Sequence, residues 1–223
     1  MIDAVLLDWE DVILETRALR RAALTEAFRN RGLPFDNDAY ETLCADRSVH
    51  SAASNMLAHS NRRDAALADL VAFEAHSLFR TQLSRPLTLV PHAQEFVEGL
   101  HAKCRLAIVT SASRSETTDA LSRTALTDLF TVVVCGEDGD LHDPVSTALD
   151  RLSRVRAISA GRCIGVFAHH NALQAARAAK LRTVAVNAQA HIAVSADAAI
   201  HSFEGLTAHG LARLAGIPVK ERT

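Results

Sequence analysis

Short apolar runs recur along the chain at residues 4–7, 105–110, 131–135, 163–167 and 183–187. Each is continuous rather than alternating, the pattern of a strand buried on both faces of a parallel sheet. Stretches with helical periodicity follow at residues 93–101, 115–124, 144–156 and 171–180. A last short strand is expected at 198–200, then a helix over 203–214. Strand and helix alternating at this spacing predict an α/β fold with a doubly wound, Rossmann-like parallel sheet.

One long stretch breaks the alternation. Residues 16–85 carry amphipathic patterns at 19–31, 37–45, 49–59 and 63–83 and no buried-strand run. They read as an inserted α-helical domain, with 86–91 as the linker back to the sheet. The core domain then comprises residues 1–15 and 86–223. The stripes Leu19, Ala23, Phe28 and Leu67, Leu70, Val71 read as the insertion's own core.

Composition narrows the function classes. The chain has 223 residues, 48% hydrophobic and 22% charged, with a net charge of -2, which suits a globular protein and not a disordered one. No basic cluster is longer than Arg20-Arg21 or Arg62-Arg63, which argues against nucleic acid as a partner. No apolar run reaches the roughly 18 residues that span a bilayer, so no membrane is expected. Asp3 stands where a signal peptide carries basic residues, and a cytoplasmic location is expected. The four cysteines, Cys44, Cys104, Cys135 and Cys163, lie far apart without a C-x-x-C pair and read as reduced thiols. Only three lysines, Lys103, Lys180 and Lys220, accompany the arginines.

In a doubly wound sheet ligands bind beyond the carboxyl ends of the strands. The loops to inspect are therefore 8–11, 110–114, 136–143 and 168–171. Here the chain resembles the haloacid dehalogenase (HAD) superfamily, in particular its phosphoglycolate-phosphatase and β-phosphoglucomutase-like members with a helical cap. The opening Ala4-Val-Leu-Leu-Asp8-Trp-Glu10-Asp11-Val is similar to that family's h-h-h-D-x-D-G-V. Leu106-Ala-Ile-Val-Thr110-Ser111 resembles its second motif, and Gly32-Leu-Pro and Ala196-Asp-Ala-Ala-Ile200 match further family segments. The resemblance covers nearly the whole chain. It implies a catalytic set in which Asp8 attacks a phosphoryl group, Glu10 acts as acid and base, and Thr110 and Ser111 hold phosphoryl oxygens. It also implies magnesium at Asp8 and Glu10, and substrate contacts from Arg47 in the cap and Arg114 after the second motif.

Several positions depart from the family pattern. Glu10 is one methylene longer than the usual Asp, and Asp11 replaces a Gly. Laid on the chain without a gap, the family's third and fourth motifs place its lysine on Asp143, preceded by His142. Its two magnesium acids fall on Phe167 and Ala168, followed by His169 and His170. A cation has become an anion and metal ligands have become apolar, so magnesium is expected of the family while its ligands are largely missing.

The chain therefore reads as a HAD-like protein with degenerate phosphatase machinery that acts by binding a small molecule or a protein partner. Three alternatives stand beside it. One is a hydrolase of a small phosphate ester with Asp8 as nucleophile. Another is a zinc, manganese or iron(II) site built from His142, Asp143, His169 and His170 with the carboxylates. The third is dehalogenation, which His170-Asn171 faintly suggests and Val12 opposes.

Overall fold

The computed structural model describes all residues except 45–46, 85, 111, 139–143, 189 and 219–223. The chain divides into two compact units, one formed by Met1–Leu14 with Leu87–Thr223 and the other by Glu15–Pro86.

In the first unit the described residues form one sheet of parallel strands, β1 (Ala4–Asp8), β2 (Arg105–Val109), β3 (Val132–Val134), β4 (Cys163–Phe167), β5 (Arg182–Val186) and β6 (Ala198–Ile200). Their spatial order is β3-β2-β1-β4-β5-β6. Alternate residues of each strand enter different cores, because successive side chains point to opposite faces. Val5, Leu7, Leu106, Ile108, Ile164 and Val166 belong to one core, with Phe96 and Leu100 from the helix Ala93–His101 and Leu211 from the helix Ala208–Leu214. Leu6, Ala107, Val109, Phe167 and Ala185 belong to the other, beneath the helices Pro144–Val155 and His170–Ala178. Coverage on both sides is why the strands appear as unbroken apolar runs.

The second unit is helical in its described residues, with α1 (Arg17–Asn30), α2 (Tyr40–Leu43), α3 (Val49–His59) and α4 (Ala65–Leu83). Ser48 and Asp64 cap α3 and α4 by accepting from the amides of Ser51 and Leu67. Phe28, Met56, Leu57 and Val71 sit at the centre of its core. Leu70 corrects the sequence reading: it is 52% exposed, as is Phe73 at 76%. Ala68, Val71, Ala72, Ala75 and Phe79 form the buried face of α4, and Leu70 and Phe73 fall on the other side of the helix.

Several elements are shorter than their patterns suggest. The amides of Asp38 and Ala39 donate to the Asp36 carboxylate, and the resulting turn delays α2 to Tyr40. At the other end of the chain Gly205 turns in the left-handed region (φ 65°) and Thr207 caps Gly210, so the last helix starts at Ala208 rather than at 203. The four-residue helix Ala190–Ala193 was not legible as a pattern. All four cysteines are free thiols, and burial pushes Cys104 up to about 12 and Cys163 to about 11, which makes them poor nucleophiles. No described helix is long and apolar enough to cross a membrane.

One contact on β4 bears directly on the site. The fully buried Phe167 ring lies over Gly165, where an added Cβ would come within 2.4 Å of ring carbon Cε2 and 3.1 Å of the Ala176 Cβ. Gly165→Ala is therefore expected to destabilise the fold by about 1–3 kcal/mol through overpacking. Adding Phe167→Leu should restore part of that loss. Urea denaturation of the two variants checks it, and a neutral Gly165→Ala would show that the ring is free to move.

Candidate functional site

The strand order reverses between β1 and β4: connections lead outward from β1 through β2 to β3 on one side and from β4 to β6 on the other. Splayed loops at such a reversal leave a crevice beyond the strand ends, the usual ligand position in an open α/β sheet. Asp8 ends β1 there, paired with Val109 of β2, and Thr110 follows β2 directly. Ala168, His169 and His170 follow β4 on the other side.

The segment after Asp8 is a tight turn. The amides of Ile13 and Leu14 both donate to the Trp9 carbonyl, at 3.3 and 3.1 Å, and the Asp11 amide donates to the Leu14 carbonyl at 2.8 Å. Trp9, Val12, Ile13 and Leu14 anchor the turn in the core. Its geometry places Asp11 in the left-handed region, at φ 58°. A backbone like this suits Gly, and Asp and Asn are among the few side chains that tolerate it. The Gly in the family motif at this position is thus a backbone requirement, met here at some cost by an acid.

Asp8 and Glu10 are only 7% and 6% exposed, and the Glu10 amide donates to Asp8 Oδ1 at 3.2 Å. Burial pushes the Asp8 carboxyl up to about 7. The positive field of His169 opposes that rise, while the Glu10 carboxylate adds to it. Thr110 is 4% exposed; its amide donates to the Val134 carbonyl and its Oγ1 accepts from the Ala112 amide at 3.1 Å. Ser111 lies outside the described residues.

Arg114 opens the helix Arg114–Arg123, behind a capping box of Ser113 and Glu116. Its half-exposed guanidinium pairs with Asp138 instead of standing free for a substrate. Asp138 also accepts from Arg151 Nη2 at 3.1 Å and from the Cys135 amide at 2.8 Å. Partial burial pushes its carboxyl up, but the Cys135 amide and the two arginines outweigh this and hold it down at about 2. The Arg114 amide donates to Glu137 as well, so the loops after β2 and β3 are tied together through these two acids. Sequence reasoning did not single out Asp138. Its signal was the acid pair Glu137-Asp138, one strand end away from an arginine in the neighbouring loop.

Across the crevice, Phe167 and Ala168 are fully buried, with the Phe167 ring under the helix His170–Ala178 beside Leu173 and Ala176. His169 caps that helix with extended backbone, and its Nε2 lies 3.5 Å from Asp11 Oδ2. The His170 Nδ1 is buried without a hydrogen-bond partner among the described residues. His142 and Asp143 lie outside the described residues. Arg47 is an exposed residue of the helical unit, its amide donating to the Cys44 carbonyl at 3.3 Å.

The described residues do not fit magnesium. That ion asks for near-octahedral oxygen coordination, and the positions from which the family motif supplies its acids carry a buried phenyl ring and a buried methyl group. Among the described residues no group of three or more His, Cys, Asp or Glu side chains is placed to hold a metal ion of any kind. What is assembled is Asp8, Glu10, Asp11 and His169 around the strand ends, with Thr110 at the end of the neighbouring β2.

Comparison with known proteins agrees with this architecture. Protein CbbY of Rhodobacter capsulatus is 26% identical over 195 residues, covering 82% of this chain and 84% of CbbY. The crystal structure of CbbY from Rhodobacter sphaeroides in complex with phosphate superposes with a TM-score of 0.76 at 22% identity, over 95% of this chain and 99% of the other. A β-phosphoglucomutase from Clostridium difficile gives 0.76 at 15% identity, over 97% and 98% of the two chains. A predicted phosphoglycolate phosphatase from Haemophilus somnus gives 0.77 at 15% identity, over 91% and 95%. The family model for haloacid dehalogenase-like hydrolases matches residues 5–186. The chain belongs to the haloacid dehalogenase-like hydrolase family.

Proposed function

We propose that this chain is a HAD-family protein that no longer transfers phosphoryl groups and uses the crevice between β1 and β4 to bind a small polar ligand or a protein partner. The helical unit then serves as its cap domain. The observation that carries this reading is the end of β4, where Phe167 and Ala168, packed and fully buried, stand at the positions of the family's metal acids.

Charge supports the same reading. Asp8, Glu10 and Asp11 follow one another within four residues, and a phosphate dianion brought among them meets repulsion of about 1 kcal/mol per contact in water and about 4 at a protein surface. Arg114, a candidate to offset that charge, is engaged by Asp138. Burial raises the Asp8 carboxyl toward neutrality, which favours its protonated form, and a protonated acid is no nucleophile.

A second reading has one observation in its favour. Asp8, Glu10 and Thr110 keep the positions of nucleophile, acid/base and phosphoryl ligand, and all three are buried at adjacent strand ends. Here the chain would hydrolyse a small phosphate ester.

Turnover of a generic phosphate ester with magnesium, manganese or zinc, by wild type and Asp8→Asn, decides between the two. The expected outcome is the same background rate from both proteins. A wild-type rate 100-fold or more above the variant's, on the scale of about 10² that one catalytic group contributes, would establish the hydrolase.

Asp8 also makes a prediction about stability. Its carboxyl titrates near 3.8 when unfolded and near 7 when folded, so the folded state is favoured in full below pH 4 and loses that favour as pH rises through 7. Asp8→Asn removes the charge but keeps the acceptor for the Glu10 amide. The variant should be more stable than wild type at pH 8, by about 4 kcal/mol at most, and the two should converge at pH 4. Thermal melts across that range measure it; a variant less stable at pH 8 would show that the carboxylate is held by attraction.

A further inference from the structure

In a parallel sheet every strand starts, and every connecting helix ends, at the side opposite the crevice. Charge is inverted between the two ends. The crevice loops carry Asp8, Glu10, Asp11, Glu137 and Asp138, whereas the opposite end carries Lys103, Arg105, Arg156, Arg162, Lys180 and Arg182. All six cations are exposed except Arg105, which is partly buried. Lys103, Arg156 and Lys180 follow closely on the helices Ala93–His101, Pro144–Val155 and His170–Ala178, where a cation offsets the helix dipole. Arg105 and Arg182 are different: each is the first residue of a strand, where no helix end calls for a cation. Arg162 pairs with Asp3 Oδ2 at 2.9 Å, and the other five side chains form no ion pair or hydrogen bond among the described residues. Asp197, before β6, is taken up by the amide and hydroxyl of Thr183, and Asp128 lies toward the β3 edge.

Register sets the scale. Arg105 aligns with Ala4 of β1, Ala4 with Cys163 of β4, and Ile164 of β4 with Arg182. Arg105 and Arg182 thus stand three strand spacings apart, about 14 Å, which an extended chain of roughly five residues bridges. We propose that this rim is a docking surface for an acidic segment of a partner protein, an extended run of Asp and Glu laid across the starts of β2, β1, β4 and β5. The planar fork of arginine suits carboxylates. Nucleic acid fits less well, because the rings of this unit, Trp9, Phe96, Phe130, Phe167 and Phe203, are buried and leave no platform for stacked bases. The rim lies at the far end of the sheet from the crevice, so it stands or falls independently of the reading above.

Fluorescein-labelled hexaglutamate is the probe, titrated with the full chain and followed by anisotropy at about 50 mM salt, where surface charge is weakly screened. It should bind saturably, and hexaglutamine should not. Arg105→Gln with Arg182→Gln should weaken binding about tenfold. Lys103→Gln with Lys180→Gln, at exposed positions that spare the fold, should weaken it in the same direction. Arg62→Gln with Arg63→Gln, in the helical unit, should leave it unchanged, and hexathymidylate should bind more weakly than hexaglutamate. The proposal is overturned by an absence of saturable binding, by rim variants that match wild type, by an equal loss in the Arg62, Arg63 variant, or by tighter binding of hexathymidylate.

Discussion

A strand with parallel neighbours on both sides and helices over both faces has no contact with solvent except at its ends. β1 is such a strand, between β2 and β4. Polar groups are confined to its ends, and at the carboxyl end the chain places Asp8, then Glu10 and Asp11 on a turn held by the Trp9 carbonyl. The apolar packing that makes the sheet stable is the same packing that strips water from Asp8 and raises its carboxyl toward neutrality. Fold stability and site chemistry meet at this residue.

The two sides of the crevice answer that burial differently. On the β2 and β3 side the acids are satisfied: Asp138 gathers Arg114, Arg151 and the Cys135 amide, and the loops following the two strands become one braced surface. On the β4 side the counterpart is His169, a group whose charge depends on its surroundings, set against carboxylates that are themselves buried. The first arrangement closes its charges among themselves, and the second leaves the balance of charge to an imidazole beside Asp11.

Much of this was readable from the chain because the relevant forces act locally. Strands buried on both faces must be apolar through their middle, so β1 to β5 announced themselves as runs; β6, at a sheet edge, gave a shorter one, and β3, at the other edge, is a shorter strand than its run. The strand-end carboxylates followed from topology. Other features were not readable. Leu70 sits among apolar residues in the sequence, and only the phase of α4 against its neighbours turns it outward. Asp138 is one acid in an acidic loop, and its role needs two arginines brought from 24 positions upstream and 13 positions downstream in sequence. The contact of Asp11 with His169 joins residues from two separate strand ends, which no local pattern encodes.

The packing of Phe167 over Gly165 gives this end of β4 a history-dependent character. An acid at position 167 would open a void above a residue with no side chain, under a helix fitted to a phenyl ring. Refilling Gly165 first would drive a methyl group into that ring. Neither single step keeps the interior packed, so a lineage carrying both residues faces a valley in either direction. The arrangement acts as a ratchet: each of the two residues holds the other in place.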